Sequence, residues 1–263
     1  MLRAMSTAAS GMKAQQLNID TIANNLANVN TTGYKESRPE FQDLLYEQVA
    51  PGGTLGVDGR AAPNRIEVGH GVRLVATRKN LGQGMVIQTG NPLDVMIEGD
   101  GFFQVRLPDG SVAYTRDGSF KLDADRNLVT SAGYRLEPEM QVPADAVEIA
   151  VGRDGVVGVR LQGDAASIQE IGRLELARFP NSGGLAARGG NLLLETPNSG
   201  APILAQPGLE GLGETTSGFL ESSNVEAVDQ LVSMISAQRA YELNSKSITM
   251  ADEMYQTVNR LKR

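Results

Sequence analysis

The chain has 263 residues, 41% of them hydrophobic and 21% charged, which is enough for one large domain or two modest ones with a buried core. Its 31 acidic and 24 basic side chains give a formal charge of −7, without the basic footprint of a general nucleic-acid or anionic-membrane binder. Cysteine is absent and His70 is the single histidine, which excludes disulfides, thiolate nucleophiles and a histidine zinc cage; no cofactor, metal or catalytic centre is expected.

The opening run MLRAMSTAASGMKAQQ has Arg3 but no continuous apolar block behind it, so it is not expected to act as a cleaved signal. No stretch approaches the roughly 18 apolar residues of a membrane span. Before Lys35 the only charges are Arg3, Lys13 and Asp20, and five of the thirteen residues from 18 to 30 are Asn. Met5, Met12, Ile19 and Leu26 nevertheless recur every seven residues, interleaved with Ala8, Gln15, Ile22 and Val29. This a/d stripe predicts a helix over residues 2–29, about 42 Å long, ended by the Asn- and Gly-rich run from Asn28 to Gly33. Asn is a weak helix former, and a solitary helix of this composition is marginal in water. Its amides make better sense surrounded by other backbones, as in a polymer.

Residues 51–64 carry four Gly and two Pro in fourteen and predict an irregular connector. The pattern then changes from a helical period to alternation. Short strands are predicted at 72–78, 94–99, 102–107, 111–116, 127–130, 146–151, 156–161 and 173–179. Asp109-Gly110 and Asp154-Gly155 each separate two such runs and suit tight hairpin turns. Residues 180–218, with nine Gly and four Pro in thirty-nine, are again expected to be irregular or extended and to bury little.

From Ser223 to the end there is neither Gly nor Pro, which predicts a helix of about 60 Å. Met234, Tyr241, Ile248 and Tyr255 recur every seven; Ala237, Asn244, Ala251 and Val258 are offset by three and put small residues on one seam. Val228, Leu231, Val232 and Ile235 widen the early part. Ser222 or Ser223 with Glu226 reads as a capping box, and Arg260, Lys262 and Arg263 complement the helix dipole.

Chemistry-bearing motifs are weak. Asp123-Ala-Asp-Arg-Asn127 begins like a calcium loop, but Leu128 and Tyr134 stand where Gly and Glu belong, so a polar hairpin turn is expected. Nothing selects Asp94, Glu98 and Asp100 as a glycosidase pair. Gly69-His70-Gly71 lacks the further glycine and helix of a dinucleotide loop. The predicted class is α+β: long N- and C-terminal helices pairing as a coiled-coil-like unit, with an inserted all-β antiparallel module. The divisions are an N-terminal helix at 1–34, an extended connector at 35–66, the β module at 67–179, a Gly/Pro-rich connector at 180–218 and a C-terminal helix at 219–263. The expected assembly interface is Met5, Met12, Ile19, Ile22, Leu26, Val29, Met234, Tyr241, Ile248, Tyr255 and Val258.

The segment from Asn24 to Lys35, NNLANVNTTGYK, closely resembles the N-terminal signature of the flagellar rod and hook protein family. GFLESSNVEAVDQLVSMISAQRAYELNSKSI (218–248) resembles that family's C-terminal block, while GDGFFQV (99–105) and 113–136 resemble its β module. Phe41-Gln-Asp-Leu-Leu-Tyr46 and the Gly/Pro segment after it are similar to the distal-rod branch. The resemblance implies a self-assembling structural subunit without enzymatic activity, exported unfolded by the flagellar type III apparatus without a cleaved signal. It implies a helical tube crossing the periplasm as a drive shaft, with terminal helices inside around the export channel and β modules outside. The implied partners are further copies of the chain, proximal rod proteins, a hook or hook-junction protein and the surrounding bushing ring. Residues 47–66 resemble the branch in character rather than residue by residue, and a role in rod stiffness is expected of them. The alternatives are another rod or hook member, or a secreted β-rich carbohydrate-binding or hydrolytic protein, which would need exposed aromatic platforms; the β module offers Phe102, Phe103, Tyr114, Phe120, Tyr134 and Phe179 but no Trp, and most of these are expected in the core.

Overall fold

A computed structural model describes residues 2–50, 66–162 and 168–261. The connector at 51–64 therefore lies outside the described residues, as does most of 47–66. The chain divides into two compact units, one formed by Met1–Leu26, Ser37–Arg78 and Glu226–Arg263, the other by Ala27–Glu36 and Lys79–Val225.

The first unit contains α1 (Leu2–Ala27), α2 (Ala227–Leu261) and four strands, β1 (Ser37–Asp43), β2 (Tyr46–Ala50), β3 (Ile66–Gly69) and β4 (Val72–Lys79). β1 pairs with β4, and β2 pairs antiparallel with β3. In α1 the hydroxyls of Ser6, Ser10 and Thr21 donate to the carbonyls of Arg3, Thr7 and Leu17. Ser236, Ser247 and Thr257 do the same in α2. Polar side chains that would otherwise favour turns are thereby satisfied inside the helices.

Both helices are shorter than their periodicity suggests. α1 stops at Ala27, where Thr31 bonds back to the Asn28 carbonyl and to its side chain, so Val29 lies beyond the helix. α2 starts at Ala227 because the residues before it are drawn into a strand and a loop. The Ser223 hydroxyl accepts from Val225 N, and the carbonyl of Glu226 accepts the first helical bond, from Gln230 N. The expected Ser–Glu capping box is replaced by this arrangement.

The second unit holds sixteen described strands. β5 (Val86–Gln88) and β6 (Val95–Glu98) precede β7 (Phe102–Arg106), β8 (Val112–Thr115), β9 (Lys121–Leu122), β10 (Leu128–Val129) and β11 (Arg135–Glu137). Then come β12 (Ala146–Val151), β13 (Val156–Leu161), β14 (Ile168–Arg173), β15 (Leu176–Arg178) and β16 (Ala186–Gly189). β17 (Leu192–Leu194), β18 (Ile203–Ala205), β19 (Glu214–Ser217) and β20 (Phe219–Glu221) complete it. The main sheet runs β16-β17-β8-β7-β11-β10-β9, with β15 bridging β7 and β18; β12-β13-β14 form a separate sheet. The Asp-Gly turns fall where expected, between β7 and β8 and between β12 and β13.

Alternation of large apolar residues builds the core of this unit: Ile97, Phe103, Val105, Leu136, Val157, Leu174 and Leu176 are buried together. Phe103 meets Phe120 edge-on with centroids 5.0 Å apart, and Tyr114 meets Phe179 at 4.7 Å. The expectation that residues 180–218 are irregular and bury little is corrected. This segment contributes β16 to β19 and buries Leu192, Leu193 and Leu212, because its glycines punctuate short strands instead of abolishing them.

Candidate assembly interface

In the first unit α1 and α2 meet along small and polar residues. On α2 the buried positions are Gln230, Ala237 and Ala251, with Asn244 half-buried between them, so the covered line is a seven-residue repeat of short side chains. The Asn25 side-chain amide donates to Gln230 Oε1 at 3.2 Å, and a methyl placed on Gly11 would lie 3.0 Å from Asn244 Nδ2. Moving fourteen residues back along α1 thus moves the contact fourteen forward along α2, an antiparallel register. Asn25 also exchanges two bonds with Ser37, accepting from its N–H at 3.0 Å and donating to its carbonyl at 2.8 Å. The side chain thereby continues a ladder where α1 gives way to β1. At the opposite end Arg3 pairs with Glu47 at 2.8 Å, and His70 Nε2 lies 3.6 Å from the same carboxylate.

The residues singled out from the heptad pattern divide. Ile22 is buried; Met5, Met12, Ile19, Leu26, Val29, Met234 and Ile248 are half-buried. Tyr241, Tyr255 and Val258 are exposed, together with Val228, Leu231, Val232, Ile235, Leu243, Met250 and Met254. Leu243 is 67% exposed. Within this unit α2 therefore hides its short side chains and shows its long apolar ones. Among the described residues, no helix is long and apolar enough to cross a membrane.

The second unit contains a charged cluster that heptad reading did not find. Glu221 sits between Lys35, whose Nζ is 2.5 Å from Oε1, and Arg116, whose Nε is 3.1 Å from Oε2; their side chains are 1, 4 and 5% exposed. Lys35 also donates to Gly82 O, and Arg116 to Gly101 O and Gly99 O, so both cations have carbonyl partners besides the carboxylate. Burial lowers the Lys35 ammonium below its usual range against the opposing pull of Glu221. Burial also lowers Arg116, where Glu221 again opposes it. Alongside, Asn224 accepts from Glu36 N at 2.8 Å and donates to the carbonyls of Asn80 and Gly82. The sequence signal was present: Lys35 ends fourteen residues without a charge, and Glu221 interrupts a stretch of small and apolar residues.

The other polar motifs are local. Asp123 accepts from the backbone and side chain of Asn127, closing the turn on itself, and Asp94 accepts from Asn91. Phe102, Phe103, Tyr114, Phe120 and Phe179 are buried, and Tyr134 packs against the core, which leaves no aromatic platform among them for a sugar.

Three stretches match family models. Residues 5–35 match one described as flagella basal body rod protein, residues 96–159 the flagellar hook protein FlgE/F/G D1 domain, and residues 216–261 the flagellar basal body rod FlgEFG protein C-terminal region. Over 265 residues, and all of both chains, the sequence is 48% identical to the flagellar basal-body rod protein FlgG of Borreliella burgdorferi. It is 40% identical over 270 residues to the FlgG of Bacillus subtilis, again across all of both chains. The flagellar hook protein FlgE of Helicobacter mustelae is 40% identical over 142 residues, covering 54% of this chain and 31% of the hook protein.

Proposed function

The chain belongs to the flagellar basal-body rod protein family, and from that membership we propose a distal-rod subunit that polymerises helically into a hollow shaft and carries torque from motor to hook. It is a structural subunit of the rod in the basal body of the bacterial flagellum. No catalysis is involved in this reading. Its contacts are further copies of the chain, proximal rod proteins on one side, a hook or hook-junction protein on the other, the surrounding ring and the type III export apparatus that delivers it. Nucleic acid has no part. Full-length similarity to rod proteins favours a rod position over a hook position, since the hook relative shares only a third of its own length.

The observation that carries the assembly reading is the outer face of α2. Soluble monomers rarely leave so many large apolar side chains exposed on one helix, and such surfaces mark protein contacts. Met5, Met12, Ile19, Ile22, Leu26, Val29, Met234, Tyr241, Ile248, Tyr255 and Val258 are proposed as the assembly interface, the α1 members as its partly covered side. Tyr241→Asp places a charge there, which costs several kcal/mol once neighbouring copies bury it. Concentrated wild-type protein is expected to form tubes visible by negative-stain electron microscopy. Tyr241→Asp is expected to form none while its monomer melts like wild type. Normal tubes from the variant, or an unfolded monomer, would overturn the interface.

A further inference from the structure

β6 carries much of what the second unit buries near its first strands, since Val95, Met96 and Ile97 are all buried, whereas the neighbouring β5 is exposed. Among the described residues their sheet partners come from the far end of the unit. β6 pairs with β19 through Glu98–Glu214 to Val95–Ser217, and β5 pairs with β20 through Val86–Glu221 to Gln88–Phe219. More than a hundred residues separate the members of each pair, so closing them late in folding carries the largest loop cost in the unit. By contrast β7 and β8 are adjacent in the chain and joined by a tight turn.

The same late segment completes the polar interior. Glu221 supplies the carboxylate that buried Lys35 and Arg116 face, and it also accepts from Gly84 N at 2.9 Å. Its carbonyl accepts from Gly33 N at 2.8 Å. Thr215 donates to Gly152 O and Arg153 O, covering the β12–β13 turn, and Ser222 N donates to Met85 O. Close approach is built in: a methyl on Gly84 would lie 2.0 Å from the Ser222 carbonyl oxygen. Before this segment arrives, Lys35 and Arg116 lack the carboxylate that lies between them, and β6 lacks its ladder, each of which is unfavourable in a buried site.

We propose that residues 213–225 form a closing strap, sealed by Glu221, whose docking is the last step in folding the second unit. The strap leads into α2 through Glu226, and residues 33–36, which it clips, lie a short turn beyond the end of α1. The device therefore fixes residues 33–36 and 213–225 only when nearly the whole of the second unit's chain is available. It is a property of the single chain and goes beyond its place in the rod.

Pulse-labelling hydrogen exchange during refolding of the full chain tests the order. Amides of residues 86–88 and 96–98 are expected to gain protection in the same, slowest phase as residues 215–221, after residues 103–106 and 112–115; Val95, whose N–H donates to Gly118 O, is left out of the comparison. Protection of residues 96–98 together with β7 and β8 would overturn the strap. In native-state exchange, Glu221→Gln is expected to speed exchange of the β5, β6, β19 and β20 amides at least tenfold and to leave β7 and β8 unchanged. Lys35→Met, which keeps the Arg116 pair, is expected to give a smaller increase in the same amides. Equal acceleration throughout the unit, or none, would also overturn it. Should Glu221→Gln not fold, the wild-type labelling order still decides.

Discussion

The two units bury opposite kinds of residue. The second hides large apolar side chains such as Phe103, Ile97 and Leu176, and keeps charge inside where it is answered, Lys35 and Arg116 by Glu221, and Glu36 and Asp94 by asparagine side chains. The first hides Ala8, Ala14, Ala237, Ala251, Asn25 and Gln230, and leaves Leu231, Ile235, Leu243 and Tyr255 in solvent. Apolar burial stabilises by about 25 cal/mol per Å², so the second unit has its stabilisation in hand, while much of what the first could gain still faces water. Small residues let two helix backbones approach closely, and long ones turned outward suit contact with further helices. One sequence thus encodes a finished part and a part finished by its neighbours.

The largest effect that could break this contrast is a cavity in the second unit. Phe103→Ala removes a fully buried ring that packs edge-on against Phe120 and is expected to cost about 3–5 kcal/mol in urea unfolding. Leu243→Ala, on the exposed face of α2, is expected to change monomer stability by less than about 0.5 kcal/mol. Similar costs at the two sites would erase the distinction. A smaller effect sharpens it: Ala237→Leu overfills the α1–α2 seam, where Ala237 is only 3% exposed, and is expected to cost about 1–3 kcal/mol. The loss should appear as faster hydrogen exchange along α1 and α2, with β7 and β8 unaffected. A silent Ala237→Leu would mean that the seam is loose and that the small residues are not there for close approach.

Period and turn chemistry made both helices, strands β4, β6 to β8, β10, β12, β13 and β15, and two hairpin turns legible in the sequence. Other strands of two or three residues, such as β9, β17 and β18, are too short to show alternation. Their pairing is decided by long-range contacts that local pattern does not contain. Residues 180–218 misled because glycine weakens a strand in general, whereas Leu192-Leu193 find β8 as a partner. The seam of α2 was half legible: Ala237, Asn244 and Ala251 stood out as small residues at heptad spacing, but the large-residue stripe beside them is mostly outside the pair. The Lys35–Glu221–Arg116 cluster joins positions up to 186 residues apart, and no spacing rule announces it. Only the presence of lone charges in otherwise uncharged blocks hinted at burial with a partner.

The smallest expected effect concerns that cluster and pH. Because burial lowers the Lys35 pKa in the folded chain below 10.5, the folded state binds fewer protons than the unfolded state between the lowered value and 10.5. Stability is therefore flat below that window and rises as pH climbs through it, by at most about 1.4 kcal/mol per pH unit for one group. Lys79, lowered by its own burial beside Tyr34, acts in the same direction. Tyr114 acts in the opposite one: burial raises its hydroxyl above 10.0, so its contribution is lost as pH passes from 10.0 to the raised value. The lysines therefore raise stability as pH approaches 10.5, and above 10.0 the tyrosine opposes them. Urea unfolding at a series of alkaline pH values is expected to show a shallower rise for Lys35→Met than for wild type, the remainder belonging to Lys79. Equal slopes in the two proteins would mean that Glu221 holds Lys35 charged as firmly as water does, and that the finished interior of the second unit carries its buried cation without cost.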